Sequence, residues 1–120
     1  MAITKKTKAS GTRFENRVKK WLEKRDWVVF RSAGSRSCAD LIGFKPHYLF
    51  YLAGQCMGLA VQCKASEFPV LSQDERDGLA SLRSIGERTL VVCRSKPGNK
   101  ILIYCFSGKH LTKIEIPEWL

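Results

Sequence analysis

Leu59-Ala60-Val61-Gln62-Cys63-Lys64 is a short strand with an unusual face. Side chains alternate across a strand, so Gln62 and Lys64 point one way while Val61 and Cys63 point the other. A strand of Leu, Ala and Val that gives one face to an amide and an ammonium has two explanations. Either it is an edge strand with a solvated polar face, or those groups serve a site. Turn signals at Gly54 and Gly58 precede the strand. Ser72 with Glu75 three residues later follows it, a capping-box pattern that predicts a helix to about Ile85, with Leu79 and Leu82 inward and Gly86 as C-cap.

Working outward, Ser10 is placed to cap a helix to about Lys24 in which Phe14, Val18, Trp21 and Leu22 form one apolar face. Trp27-Val28-Val29-Phe30-Arg31 predicts a strand, and the small, polar stretch 32–37 a loop. Asp40-Leu41-Ile42-Gly43-Phe44 and Tyr48-Leu49-Phe50-Tyr51-Leu52 are further strand-like runs. Thr89-Leu90-Val91-Val92-Cys93 and Ile101-Leu102-Ile103-Tyr104-Cys105-Phe106 are expected to close the core, joined around Pro97-Gly98-Asn99. The order is helix, about four strands, helix, two strands. It predicts one α/β layered domain over 10–120, a mixed central sheet flanked by helices. Residues 1–9, with Lys5, Lys6 and Lys8 and no apolar period, are expected to be a flexible basic arm.

The charge is lopsided: 21 Lys and Arg face 11 Asp and Glu, for a formal net charge of +10 over 120 residues. Such an excess attracts polyanions and favours nucleic acid as partner. A membrane partner is not expected. No apolar run approaches the roughly 18 residues needed to span a bilayer, and no segment pairs a basic face with a broad apolar one. The five cysteines are odd in number and include no Cys-x-x-Cys pair, which points away from zinc and disulfides and toward a reducing, cytoplasmic setting. The N-terminus lacks the apolar stretch of a secretory signal, which also fits an intracellular protein.

Asp40 opens an apolar strand directly after a Gly/Ser loop, where a carboxylate is costly unless it holds a cation or caps backbone groups. Glu15 lies beside the buried stripe of the first helix, as an ion-pair partner or as a further acidic group. With Gln62 and Lys64 these residues have the parts that phosphodiester hydrolysis requires: hard oxygen donors for Mg²⁺ and a lysine to stabilise developing charge.

Gly11-Thr12-Arg13-Phe14-Glu15, Arg31-Ser32-Ala33-Gly34-Ser35, Asp40-Leu41-Ile42 and Val61-Gln62-Cys63-Lys64, in that order, resemble the motifs of the archaeal-type Holliday junction resolvases of the PD-(D/E)xK nuclease superfamily. The resemblance covers roughly residues 10 to 85, and linked motifs are more specific than a lone x-K pair. It implies a restriction-endonuclease-like core and a homodimer that nicks four-way DNA junctions symmetrically with Mg²⁺, Mn²⁺ being a substitute. By position, Asp40, Gln62 and Glu15 would be metal ligands, Ser35 would contact phosphate or water, and Lys64 would be the catalytic lysine. Gln73 resembles a glutamine that opens the following helix and packs or contacts phosphate. Gln62 departs from the pattern, since the family typically has Glu there. A site with one negative charge fewer is expected to bind metal more weakly or to lean more on Glu15. Small stand-alone resolvases of this kind occur in archaea and phages, so a cellular or a host cytoplasm is implied.

For DNA contact the expected residues are Lys5, Lys6, Lys8, Arg13, Arg17, Lys20, Arg31 and Arg36, with Gln73. They would bind phosphates and not read bases. Two other readings compete: a nuclease of the same superfamily acting on duplex or flap DNA, and a non-catalytic basic nucleic-acid-binding module.

Overall fold

Among the described residues, six strands pair in chain order to form one mixed sheet, with a helix packed on each face. The computed structural model describes residues 2–32, 39–45, 57–84, 88–95, 98–108 and 110–120, with side chains for all of these except 2–10, 57 and 84. Helix α1 (Ala2–Glu23) precedes β1 (Val28–Arg31), β2 (Leu41–Lys45) and β3 (Met57–Lys64). Helix α2 (Gln73–Ser84) leads into β4 (Arg88–Arg94), β5 (Ile101–Phe106) and β6 (Leu111–Ile114). Every neighbouring pair is antiparallel except β3 and β4, which run parallel because α2 carries the chain back between them.

The alternation predicted for β3 divides the core in two. Leu59 and Val61 face Phe14, Val18 and Leu22 of α1, together with Leu41, Leu90, Val92 and Ile103. Ala60 faces the opposite way, with Leu79 of α2 and with Val91, Cys93 and Phe106. Strand β4 is therefore apolar on both faces from Leu90 to Cys93, as buried parallel strands are, and β3 is so from Leu59 to Val61, before Gln62 and Lys64. Fully buried side chains such as Val18, Leu59 and Leu79 each contribute about 1.5–3 kcal/mol by leaving water.

The end of the chain closes the α1 layer. Trp27 Nε1 donates to the Leu120 carbonyl at 3.1 Å, and the Trp27 and Trp119 rings meet edge-to-face at 6.5 Å. Gly43 makes room for this, since a Cβ there would lie 3.3 Å from the Trp27 ring.

Three expectations change. Helix α1 begins at Ala2 and so takes in the residues read as an arm. Residues 2–10 contain neither Gly nor Pro, and their Ala and Lys are good helix formers, so the helix extends back through them. Ser10 is thus an interior position of α1 and not its cap. A further strand, β6, follows the expected last one; left-handed Gly108 (φ 93°) lies in the turn between β5 and β6. Its four residues, half exposed at the sheet edge, carry too short a pattern to be read as a strand alone. The run Tyr48–Leu52 lies outside the described residues. Among the described residues no helix is long and apolar enough to cross a membrane.

Candidate active site

The β2–β3 pairing creates the central contact. Leu41 lies opposite Val61, and the Asp40 N–H donates to the Val61 carbonyl at 3.0 Å. Just before β2 begins, this brings Asp40 to the end of β3. Gln62 Nε2 donates to Asp40 Oδ2 at 3.0 Å, and the Cys63 N–H donates to the same oxygen at 2.9 Å. The carboxylate is thereby fixed against the end of β3.

The same amide makes a second bond, from Gln62 Nε2 to Glu75 Oε2 at 2.7 Å. Lys64 Nζ donates to both Glu75 oxygens, at 2.7 and 2.6 Å. Two carboxylates facing one amide group select its NH₂ end, because the carbonyl end would repel them. Gln62 is only 7% exposed, so these bonds satisfy a polar group that would otherwise be costly to bury.

Glu75 reaches this point from the first turn of α2. The capping box forms as predicted: the Glu75 N–H donates to Ser72 Oγ at 3.2 Å, and the Ser72 N–H donates to Glu75 Oε1 at 2.9 Å. Leu79, one turn on, is fully buried against Ala60 and seats the helix over β3. A local cap and a tertiary contact together aim the carboxylate at the strand.

Glu15 approaches from the α1 side. Arg31 shares a strand face with buried Val29, and its Nη2 donates to Glu15 Oε2 at 3.0 Å. Burial pushes the Asp40 carboxyl above its ordinary value, and the negative charges of Glu15 and Glu75 add to the rise, against the pull of the Cys63 N–H and Lys64. Burial also raises the Glu75 carboxyl, but hydrogen bonds from Lys64 and Ser72 overcome this and hold it below its ordinary value. Burial and the Asp40 and Glu15 charges push the Cys63 thiol well up, so it stays protonated and is no nucleophile.

Three acidic side chains, one of them raised by burial and then by its neighbours' charge, are what a divalent cation would relieve, and carboxylate and amide oxygens are the hard donors Mg²⁺ takes. The donor chemistry fits such an ion. Among the described residues, however, no three His, Cys, Asp or Glu side chains stand gathered tightly enough to chelate one as they are.

The remaining expected residues fall differently. Arg13, Arg17 and Lys20 are exposed at helical spacings of four and three, one basic stripe along α1. Arg17 also donates to the Asn99 carbonyl. Arg31 is engaged by Glu15 as well as partly exposed. Gln73 is exposed at the start of α2 and donates to Asp77 Oδ1 at 2.9 Å, outside the Asp40 cluster. Lys5, Lys6 and Lys8 are on α1, where their side chains are not described; Ser35 and Arg36 lie outside the described residues. Glu75 was missed as a site residue. Its spacing from Ser72 announced a cap, and only the packing of α2 on β3 reveals its second contact.

No family model and no curated protein matches the chain. Among solved structures it is similar to Hjc of Archaeoglobus fulgidus, a Holliday junction resolvase from an archaeal hyperthermophile, with a TM-score of 0.63. The fold is that of an archaeal Holliday junction resolvase. The likeness covers 88% of each chain at 23% sequence identity, so nearly the whole resolvase fold is present while most side chains differ.

Proposed function

We propose that the chain is a structure-selective endodeoxyribonuclease that resolves four-way DNA junctions by paired nicks. The observation that carries this reading is the meeting of Asp40, Gln62 and Lys64 where β2 joins β3, linked through Gln62 and Glu75, in a fold shared with an archaeal junction resolvase. The ordered motifs of the sequence and the net charge of +10 support the same reading.

Asp40 and Glu15 are the carboxylates that would hold Mg²⁺ or Mn²⁺, with Gln62 contributing its amide oxygen once its NH₂ end releases Asp40 and Glu75. When bound, the ion supplies positive charge beside the scissile phosphate and lowers the pKa of a water. The protein's own groups perform the rest. The Cys63 N–H fixes Asp40 Oδ2, and Arg31 fixes Glu15, so both carboxylates are oriented before substrate arrives. The Lys64 ammonium is placed to donate to a phosphate oxygen or an attacking water as negative charge grows. The stripe Arg13, Arg17, Lys20 binds phosphates and holds the duplex arms without reading sequence. A single site cuts one strand, so paired cuts across a junction's two-fold axis call for a C₂ homodimer.

Incubation of purified protein with Mg²⁺ and end-labelled four-way junctions, flaps and linear duplexes tests the reading. Paired nicks near the crossover, with linear duplex intact, are expected. Preferential cutting of flaps or duplex would redirect the proposal to another nuclease on this core. No cutting with either metal would overturn it in favour of a binding module.

A further inference from the structure

We propose that Glu75 supplies to the active site the acidic charge that Gln62 lacks, and that it serves as a cation ligand. This rests on the nuclease reading above and assigns a residue to the same site from a different element.

The geometry separates Glu75 from an ordinary capping residue. A capping-box glutamate satisfies the backbone N–H at the start of its own helix, and Glu75 does so with Oε1. Its other oxygen is turned to the strand, where it accepts from Gln62 and Lys64 at 2.7 and 2.6 Å. Asp40 Oδ2 accepts from the same Gln62 nitrogen at 3.0 Å. The Asp40 and Glu75 oxygens therefore lie no more than about 6 Å apart, the two bonds laid end to end. Their charges act on one another, since Glu75 is among the groups that raise Asp40.

Charge balance points the same way. At Gln62 the strand presents an amide between two carboxylates, and at Lys64 it presents an ammonium bonded to one of them. Together these donors satisfy oxygens that a divalent cation would otherwise take. Glutamate from α2 thus places a second acidic group beside Asp40 at Gln62, while Glu15 comes from α1. On this assignment Gln62 holds Asp40 and Glu75 together until the ion enters, and the second acidic charge is carried by Glu75.

The rival role for Glu75 is purely structural, as a cap for α2 and counter-ion for Lys64. Glu75→Gln separates the two, because glutamine also completes a capping box. Mn²⁺ binding to the full chain, measured by calorimetry and by the Mn²⁺-dependent rise in Tm, is the readout. Glu75→Gln is expected to weaken Mn²⁺ binding at least tenfold, with the Mn²⁺-dependent rise in Tm read against the variant's own Tm in chelator. The double variant Gln62→Glu/Glu75→Gln, which returns the charge to the strand, is expected to recover binding. Unchanged Mn²⁺ affinity in Glu75→Gln, or no recovery in the double variant, would overturn the assignment while leaving wild-type junction cleavage and the nuclease reading intact. A wild type that neither binds Mn²⁺ nor cuts junctions would overturn both.

Discussion

Gln62 Nε2 lies 3.0 Å from Asp40 Oδ2 and 2.7 Å from Glu75 Oε2, so a single amide joins a β-strand carboxylate to a helix carboxylate. Gln62→Glu would replace that donor with a third negative group. In chelator it is expected to lower Tm by about 5 °C, through repulsion in a nearly buried setting. The same variant should gain more Tm from Mg²⁺ than wild type, because an ion that binds only the folded state stabilises it by mass action. A thermal melt with and without Mg²⁺ checks both, and an equal gain in the two proteins would count against any metal contact at position 62.

Arg31 and Arg13 should behave differently although both are basic and accessible. Arg13 is exposed on the α1 stripe, and Arg13→Ala is expected to lower junction affinity several-fold and reduce the slope of log affinity against log salt by about 1. Arg31 also holds Glu15 at 3.0 Å. Arg31→Ala should therefore slow single-turnover cleavage of bound junction by more than it weakens binding. Salt titrations with single-turnover kinetics distinguish the two, and parallel losses in both variants would place Arg31 among ordinary phosphate contacts.

The two shifted carboxyls have opposite signs in stability. Asp40 has a folded value above its ordinary 3.8, so the folded state holds the proton more tightly than the unfolded state and stability falls as pH rises through that window. Glu75 has a folded value below its ordinary 4.5, so its contribution is present above 4.5 and is lost as pH falls through the lowered value. Asp40→Asn is thus expected to be more favourable, relative to wild type, at pH 7 than at pH 3.8, measured by urea unfolding. Glu75→Gln should show the reverse trend.

Trp27 ties the C-terminus to the core through its indole N–H and its contact with Trp119. Trp27→Phe keeps an aromatic ring but leaves the Leu120 carbonyl without its donor. A loss of about 1–3 kcal/mol is expected in urea unfolding, with junction cleavage retained at temperatures well below Tm.

Much of this architecture was legible because the signals were local. The apolar run at β3, the alternation that pairs Gln62 with Lys64, the Ser72–Glu75 cap and the strands β4 and β5 each depend on near neighbours in sequence. The start of α1 was not legible. Nothing marks where a helix of lysines and alanines begins, and the charge pattern of residues 1–9 suits an arm equally well. Strand β6 is short and lies at the sheet edge, so its pairing with β5 depends more on the neighbouring strand than on its own pattern. The candidate site was legible in the shared strand face of Gln62 and Lys64 and illegible where elements meet. Asp40, Gln62 and Lys64 could be proposed from spacing, whereas Glu75 reaches them only because α2 folds back over β3. Arg31 likewise read as a phosphate contact, and its bond to Glu15 joins residues on a helix and a strand.

The central claim is that Asp40 belongs to a catalytic centre and not merely to a basic DNA-binding surface. Asp40→Asn keeps an oxygen to accept the Cys63 N–H and removes only the charge, so it separates the two directly. Binding and cleavage of a four-way junction by this variant should be measured side by side with wild type in Mg²⁺. The predicted result is junction affinity within about threefold of wild type and cleavage slowed by at least ~100-fold. Cleavage at the wild-type rate would contradict the account.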